Sequence, residues 1–166
     1  MKDVRCSNHL IELFLKDSLE GFLVDLLAKC QELSTKVRKS PNGKGELKAA
    51  CNKVKIKFVL PKLACKTRWN SRHANLDSII KLKKAINYLV VEDSNEDWGE
   101  FWFSSSNWKK MESVAEVLEK VKVVSKALEA EATPTSNLVI FNLKPFCRIS
   151  LEALQLAGFE FYNIAF

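Results

Sequence analysis

The chain has no apolar run approaching the roughly 18 uncharged residues that a bilayer span requires. Its amino terminus, Met1-Lys2-Asp3-Val4-Arg5, lacks the apolar core of a secretory signal, so a soluble intracellular protein with no membrane partner is expected. Histidine is scarce at two residues, glycine at five and proline at four, and no internal repeat or low-complexity tract interrupts the sequence. The five cysteines (Cys6, Cys30, Cys51, Cys65, Cys147) form an odd, scattered set without a C-x-x-C pair. In an unsignalled chain such a set implies reduced thiols in or near the core rather than a disulfide framework.

Acid is what the middle third lacks. Residues 29–84 hold 16 Lys and Arg against three acids (Glu32, Glu46, Asp77), a local charge of +13 within a chain of net +6. The flanks are acidic, −2 over residues 1–28 and −5 over residues 85–166. A basic block of this size suits a polyanionic partner, most often nucleic acid, and it also suits an ordinary solvated face.

What the chain does have is apolar periodicity. At 166 residues and 47% apolar it can bury a core of its own. Three-four spacing predicts a long helix over 7–37, with Leu10, Leu13, Phe14, Phe22, Leu23, Leu26, Leu27, Cys30, Leu33 and Val37 on its buried face and Gly21 as a candidate kink or split into two helices. The run Ser40-Pro41-Asn42-Gly43-Lys44-Gly45 reads as a surface loop by its turn chemistry. It is not a phosphate cradle, because no strand precedes it and the G-x-x-x-x-G-K-[ST] order is absent. A short lysine-heavy helix over 46–58 is expected next, with Leu47, Ala50, Cys51, Val54 and Phe58 on one side, then a second long helix over 71–91 with a stripe of Leu76, Ile79, Ile80, Lys83 and Ile86 (Leu82 and Leu89 beside it), capped by Thr67 or Asn70. Residues 92–107 read as an acidic loop or helical turn whose Trp98, Phe101, Trp102 and Phe103 pack inward. A helix over 108–130, capped by Ser105, Ser106 or Asn107, carries Trp108, Met111, Ala115, Leu118, Val121 (or Lys122), Ser125 and Leu128 on its inner face. A break at 133–137, a short helix over 138–143 and an apolar tail complete an all-α helical bundle.

Chemistry is sparse. Cys6 and His9 form a C-x-x-H unit that Cys65 and His73 would complete as a tetrahedral zinc set. The eight-residue step from Cys65 to His73 falls outside usual ligand spacings, so Cys6 and His9 are read as structural and no metal or cofactor is assigned. The acids of 92–100 sit in one run, whereas two-metal chemistry needs carboxylates from separate elements holding ions about 4 Å apart. The better lead is Cys65-Lys66-Thr67-Arg68-Trp69-Asn70-Ser71-Arg72-His73, which sets a tryptophan between arginines at a helix entrance. An indole there can stack on an extruded base while Arg68 and Arg72, with Lys66 and Lys62, hold phosphates. The alternative makes Trp69 a core anchor and Arg68 a surface ion-pair donor.

Three motifs in order, R-C-S-N-H-L-I-E-L at 5–13, T-R-W-N-S at 67–71 and A-T-P-T-S-N-L at 132–138, resemble the hAT superfamily of transposases and host proteins derived from them. The resemblance covers about residues 4–145. It implies a C-x-x-H helix (Cys6, His9) at a truncated RNase H-like edge over residues 1–66. A helical insertion domain over 67–145 and a divergent apolar tail over 146–166 would follow. In the family the R-W pair, here Arg68 and Trp69, supports the flipped base of a DNA hairpin intermediate, and Thr133–Thr135 would match the P-T turn. The family's first two catalytic aspartates precede the C-x-x-H helix and its glutamate follows the insertion domain. Asp3 lies too close to Cys6 to serve as the second aspartate. The expectation is therefore a nuclear, non-catalytic, transposase-derived fragment with sequence-independent DNA binding. Its alternative is a helical protein-interaction module that self-associates through exposed apolar helices.

Overall fold

A computed structural model describes residues 7–65, 69–92 and 96–130, with side chains over 23–65, 69–91 and 97–123. All its elements are helices: α1 (Ser7–Lys39), α2 (Pro41–Lys53), α3 (Trp69–Lys81), α4 (Lys83–Glu92), α5 (Glu96–Gly99) and α6 (Ser105–Ala130). The all-α expectation is met. The helix expected over 138–143, the Thr133–Thr135 turn, the tail, Cys6 and Cys147 lie outside the described residues, as do the side chains of His9, Ser125 and Leu128.

Two compact units divide the chain. One is Leu23–Glu112; the other comprises residues 1–22 and 113–166. In the second, α6 buries Val114, Val117, Leu118 and Val121, and its surface carries ion pairs Lys120–Glu116 at 2.7 Å and Lys122–Glu119 at 2.9 Å.

Within Leu23–Glu112, α1 supplies the longest buried stripe. Leu23, Leu26, Cys30, Leu33 and Val37 are all buried at alternating steps of three and four, the spacing that keeps one face of a helix on a core. The helix is continuous through Gly21. Each such leucine contributes roughly 1.5–3 kcal/mol by leaving water.

The loop expected at 40–45 is instead the first turn of α2. Ser40 is its N-cap, with extended dihedrals and a side-chain oxygen that accepts the Gly43 N–H at 3.1 Å, and Pro41 opens the helix. Serine at the cap and proline at the first helical position are a favoured start, since proline lacks an N–H that would be orphaned there. The helix ends at Lys53, five residues short of the expected 58, in a double-bonded C-terminal cap. Ile56 N–H bonds Cys51 O at 2.9 Å and Lys55 N–H bonds Asn52 O at 3.2 Å. Lys55 takes the left-handed φ of 55° that this cap requires and that glycine usually supplies. Leu47, Ala50 and Cys51 are buried on α2, while Val54 and Phe58 lie beyond its end, partly exposed.

The single helix expected over 71–91 is two. α3 starts at Trp69, so Asn70 lies inside it rather than capping it, and Thr67 is outside the described residues. Leu82 interrupts the run: its N–H bonds Ile79 O, three residues back, at 2.9 Å. Buried Leu76, Ile79, Leu82 and Ala85 recur at steps of three, which drift around a regular helix and fit a locally tighter turn. α4 then buries Ile86 and Leu89 and packs on α2 and α5.

The aromatic segment packs inward with one exception: Trp98, Phe101 and Phe103 are buried, but Trp102 is 59% exposed. α6 begins at Ser105, and its cap is Ser104, whose Oγ accepts Asn107 N–H at 3.1 Å, rather than any of the three residues expected. Its buried face uses Trp108, Met111, Val114, Val117, Leu118 and Val121, with Ala115 half-buried.

Candidate nucleic-acid interface

Of the residues expected at the interface, Trp69 is buried at 6% exposure, the position of a core anchor at the start of α3. Its ring offers no open face to a base in this conformation. Arg72 is half-buried, Lys62 is exposed, and Lys66 and Arg68 lie outside the described residues. No three His, Cys, Asp or Glu side chains among the described residues converge as metal ligands.

The connector that leads to this corner, residues 54–65, is strapped down by polar side chains. Asn75, 1% exposed, donates its amide to Ser34 Oγ at 2.8 Å and to Lys62 O. Ser78 Oγ accepts Lys62 N–H at 3.0 Å and donates to Asn75 O at 2.7 Å. Gln31 accepts Ala64 N–H at 2.8 Å, and Ser71 Oγ accepts Cys65 N–H at 2.7 Å. Thus α1 and α3 together bond an irregular stretch of backbone. The strap holds Lys62 outward.

The lysines of the basic third divide into two sets. In one, cations serve the fold. Lys36 Nζ sits 5.2 Å from the Trp98 ring centre and 5.1 Å from that of Phe101, bonds Asp97 O, and pairs with Glu100 at 3.5 Å. Lys29 lies over Phe103 at 5.2 Å and donates to Trp102 O at 2.8 Å. Lys53 meets the ring and hydroxyl of Tyr88, and Lys83 spans the Trp108 ring and Glu112. Lys81 pairs with Asp77 at 2.6 Å. Apart from Lys81, each long stem covers aromatic surface while its charge stays near a ring quadrupole or an acceptor.

The other set faces water. Arg38, Lys39, Lys44, Lys48, Lys55 and Lys57 are all exposed along the end of α1, α2 and its exit. Lys44, Lys48 and Asn52 stand one turn apart on α2, and Lys55 follows past its end. One acid falls between residues 38 and 57, Glu46. Its carboxylate accepts the Trp98 indole N–H at 2.7 Å, so it is turned to the aromatic layer. Sequence reasoning placed the charge in the middle third but centred the contact on Arg68 and Trp69. The α2 row was concealed because its first turn read as a loop.

Burial sets the thiols apart. It pushes the Cys30 thiol up to about 12, with Lys29 opposing weakly, and raises Cys51 as well. Cys30 Sγ lies 3.4 Å from Met111 Sδ, joining α1 to the start of α6. Cys65 is exposed.

This all-helical core, taken together with the chain's relatives, is that of a transposase-like helical domain. The chain belongs to the ZBED1 RNase-like helical domain family, whose model matches residues 4–117. Over 142 residues it is 21% identical to the human zinc finger BED domain-containing protein 4, an alignment covering 82% of this chain and 11% of that protein. No solved structure matches. No helix among the described residues is long and apolar enough to cross a membrane.

Proposed function

We propose that this domain is a non-catalytic helical scaffold, nuclear in location, that holds DNA through its phosphates without reading base sequence. The observation that carries this reading is the exposed basic row from Arg38 to Lys57, whose one intervening acid is engaged by the Trp98 indole. Lys62, held outward by the strap, extends the cationic surface, and Lys66, Arg68 and Arg72 add charge in sequence beyond it. Trp69 serves this surface by anchoring α3 from within. Among the described carboxylates, Glu46, Asp77, Glu100, Glu112, Glu116 and Glu119 bond indole or lysine partners.

Phosphate neutralisation releases condensed counterions, so the affinity must carry a steep salt dependence. If about six side chains reach phosphates, log K falls with log salt at a slope of about −5. A gel-shift titration on two duplexes of unrelated sequence should give that slope on both. Absence of binding at low salt would overturn the reading, as would a strong preference for one sequence.

A further inference from the structure

Ser40 is the single residue between α1 and α2. Its dihedrals are extended, φ −100° and ψ 114°, and it is half-buried while Arg38, Lys39, Pro41 and Asn42 around it are exposed. Residues 36–44 hold four bases and no acid. A serine followed at once by proline offers no N–H at the next position, so it suits an enzyme whose pocket asks for no donor there. Protein kinases of the proline-directed class have that pocket. The chain's other hydroxyl–proline pair, Thr133-Pro134, follows Glu129 and Glu131 and has no base within five residues.

The segment around Ser40 opens easily. Asn42, Gly43 and Gly45 are weak helix formers within the first turns of α2. Two bonds close the first turn, from Gly43 N–H to Ser40 Oγ at 3.1 Å and from Lys44 N–H to Ser40 O at 3.0 Å. Pro41, Asn42, Lys44 and Gly45 already face water, so opening this turn exposes little apolar surface and presents residues 38–45 as an extended strand to a kinase.

The modified turn closes again. α2 has no acid in its first turn, and the charges nearest in sequence, Arg38, Lys39 and Lys44, share the sign of its dipole end. A phosphate there carries about −1.5 to −2 charges and three acceptor oxygens, which a helix N-terminus favours. The Gly43 N–H that now bonds Oγ keeps an acceptor.

We propose that Ser40 is a phosphorylation site whose modification releases DNA from the α2 row. Oγ takes the γ-phosphoryl group of ATP: the new P–O bond forms as the bond to the ADP oxygen breaks, and the hydroxyl proton passes to the kinase's base. The phosphate then stands one helical turn from Lys44 and two from Lys48, where it cancels about two of the row's charges. The release of DNA rests on the DNA reading; the modification itself does not. One phosphate thus tightens α2 and weakens its hold on DNA.

The test uses the full chain with ATP, Mg²⁺ and a proline-directed kinase of the cyclin-dependent class, and maps the product by mass spectrometry. Transfer to Ser40 in the folded protein is expected, lost in Ser40→Ala and retained in Thr133→Ala. The purified phosphoprotein should bind duplex about tenfold more weakly, with the salt slope reduced in magnitude from about −5 to about −3.5. Its thermal midpoint should rise by about 2–4 °C. Ser40→Asp, which keeps the cap, should move both readings the same way by less. No transfer to Ser40 would overturn the proposal, and so would a lowered midpoint or unchanged duplex affinity in the phosphoprotein. If the unmodified chain binds no duplex at low salt, the release of DNA falls with the DNA reading, while transfer and midpoint still decide the site.

Discussion

Asn75→Ala removes the centre of the strap that carries the connector. The amide makes two hydrogen bonds, to Ser34 Oγ at 2.8 Å and to Lys62 O, from a site 1% exposed. Each bond is worth about 1 kcal/mol net. The two acceptors do not suffer equally. Ser34 Oγ still donates to Cys30 O at 2.9 Å, whereas the Lys62 carbonyl is left without its donor. Stranding that carbonyl adds about 1 kcal/mol or more, for a total of about 3 kcal/mol. Asn75→Leu should cost nearly as much, because filling the volume does not return the donor. All four tryptophans, Trp69, Trp98, Trp102 and Trp108, lie within Leu23–Glu112, so tryptophan fluorescence during urea unfolding reports on the affected unit. Native-state trypsin cleavage after Lys57 and Lys62 should quicken in step with the stability loss, since the connector is freed locally. A loss below about 1 kcal/mol with cleavage unchanged would refute the claim that polar side chains hold the connector.

Three further outcomes follow from single residues. Lys55→Gly should stabilise by about 0.5–1 kcal/mol, because it relieves a left-handed residue at the end of α2; a lowered urea midpoint would contradict the cap assignment. Native-state labelling with a maleimide should modify Cys65 well before Cys30 or Cys51, which are buried and whose thiols hold their protons; comparable rates for Cys30 and Cys65 would contradict the packing of α1. Cys30 has a folded pKa raised from 9.0 to about 12, so its contribution is fully present below about pH 9 and is lost as pH climbs toward 12. Unfolding free energy should therefore fall by about 1.4 kcal/mol per pH unit more steeply in wild type than in Cys30→Ala over that window. Parallel slopes would show that the thiol titrates normally.

Local pattern made α1 legible. Its buried residues follow one helical face from Leu23 to Val37, and the helix is not split at Gly21, because a lone glycine in a long helix weakens it without ending it. The start of α2 was ambiguous in principle: serine, proline and glycine within four residues serve a turn and a capped helix equally well, and the cap bond from Gly43 decides between them. The break at Leu82 leaves no compositional trace, since an apolar residue occupies it and only the three-residue spacing from Leu76 to Ala85 betrays the tighter turn. The site was partly legible. Net charge located the basic third, but which lysines serve the fold and which face water depends on tertiary contact with Trp98, Phe101, Phe103, Tyr88 and Trp108. Nothing in the local sequence separates Lys36, set over two rings, from Lys39 in the open. The same holds for the aromatics, where Trp102 differs from its neighbours in exposure and not in pattern.

The central claim is that the row along α2 holds DNA by charge alone. Its most direct test is the salt dependence of duplex binding in wild type beside Lys44→Ala/Lys48→Ala. The predicted wild-type slope is about −5, falling in magnitude to about −3.5 when two phosphate contacts are removed, equally on duplexes of unrelated sequence. An unchanged slope in the variant, or no binding by wild type at low salt, would contradict the account.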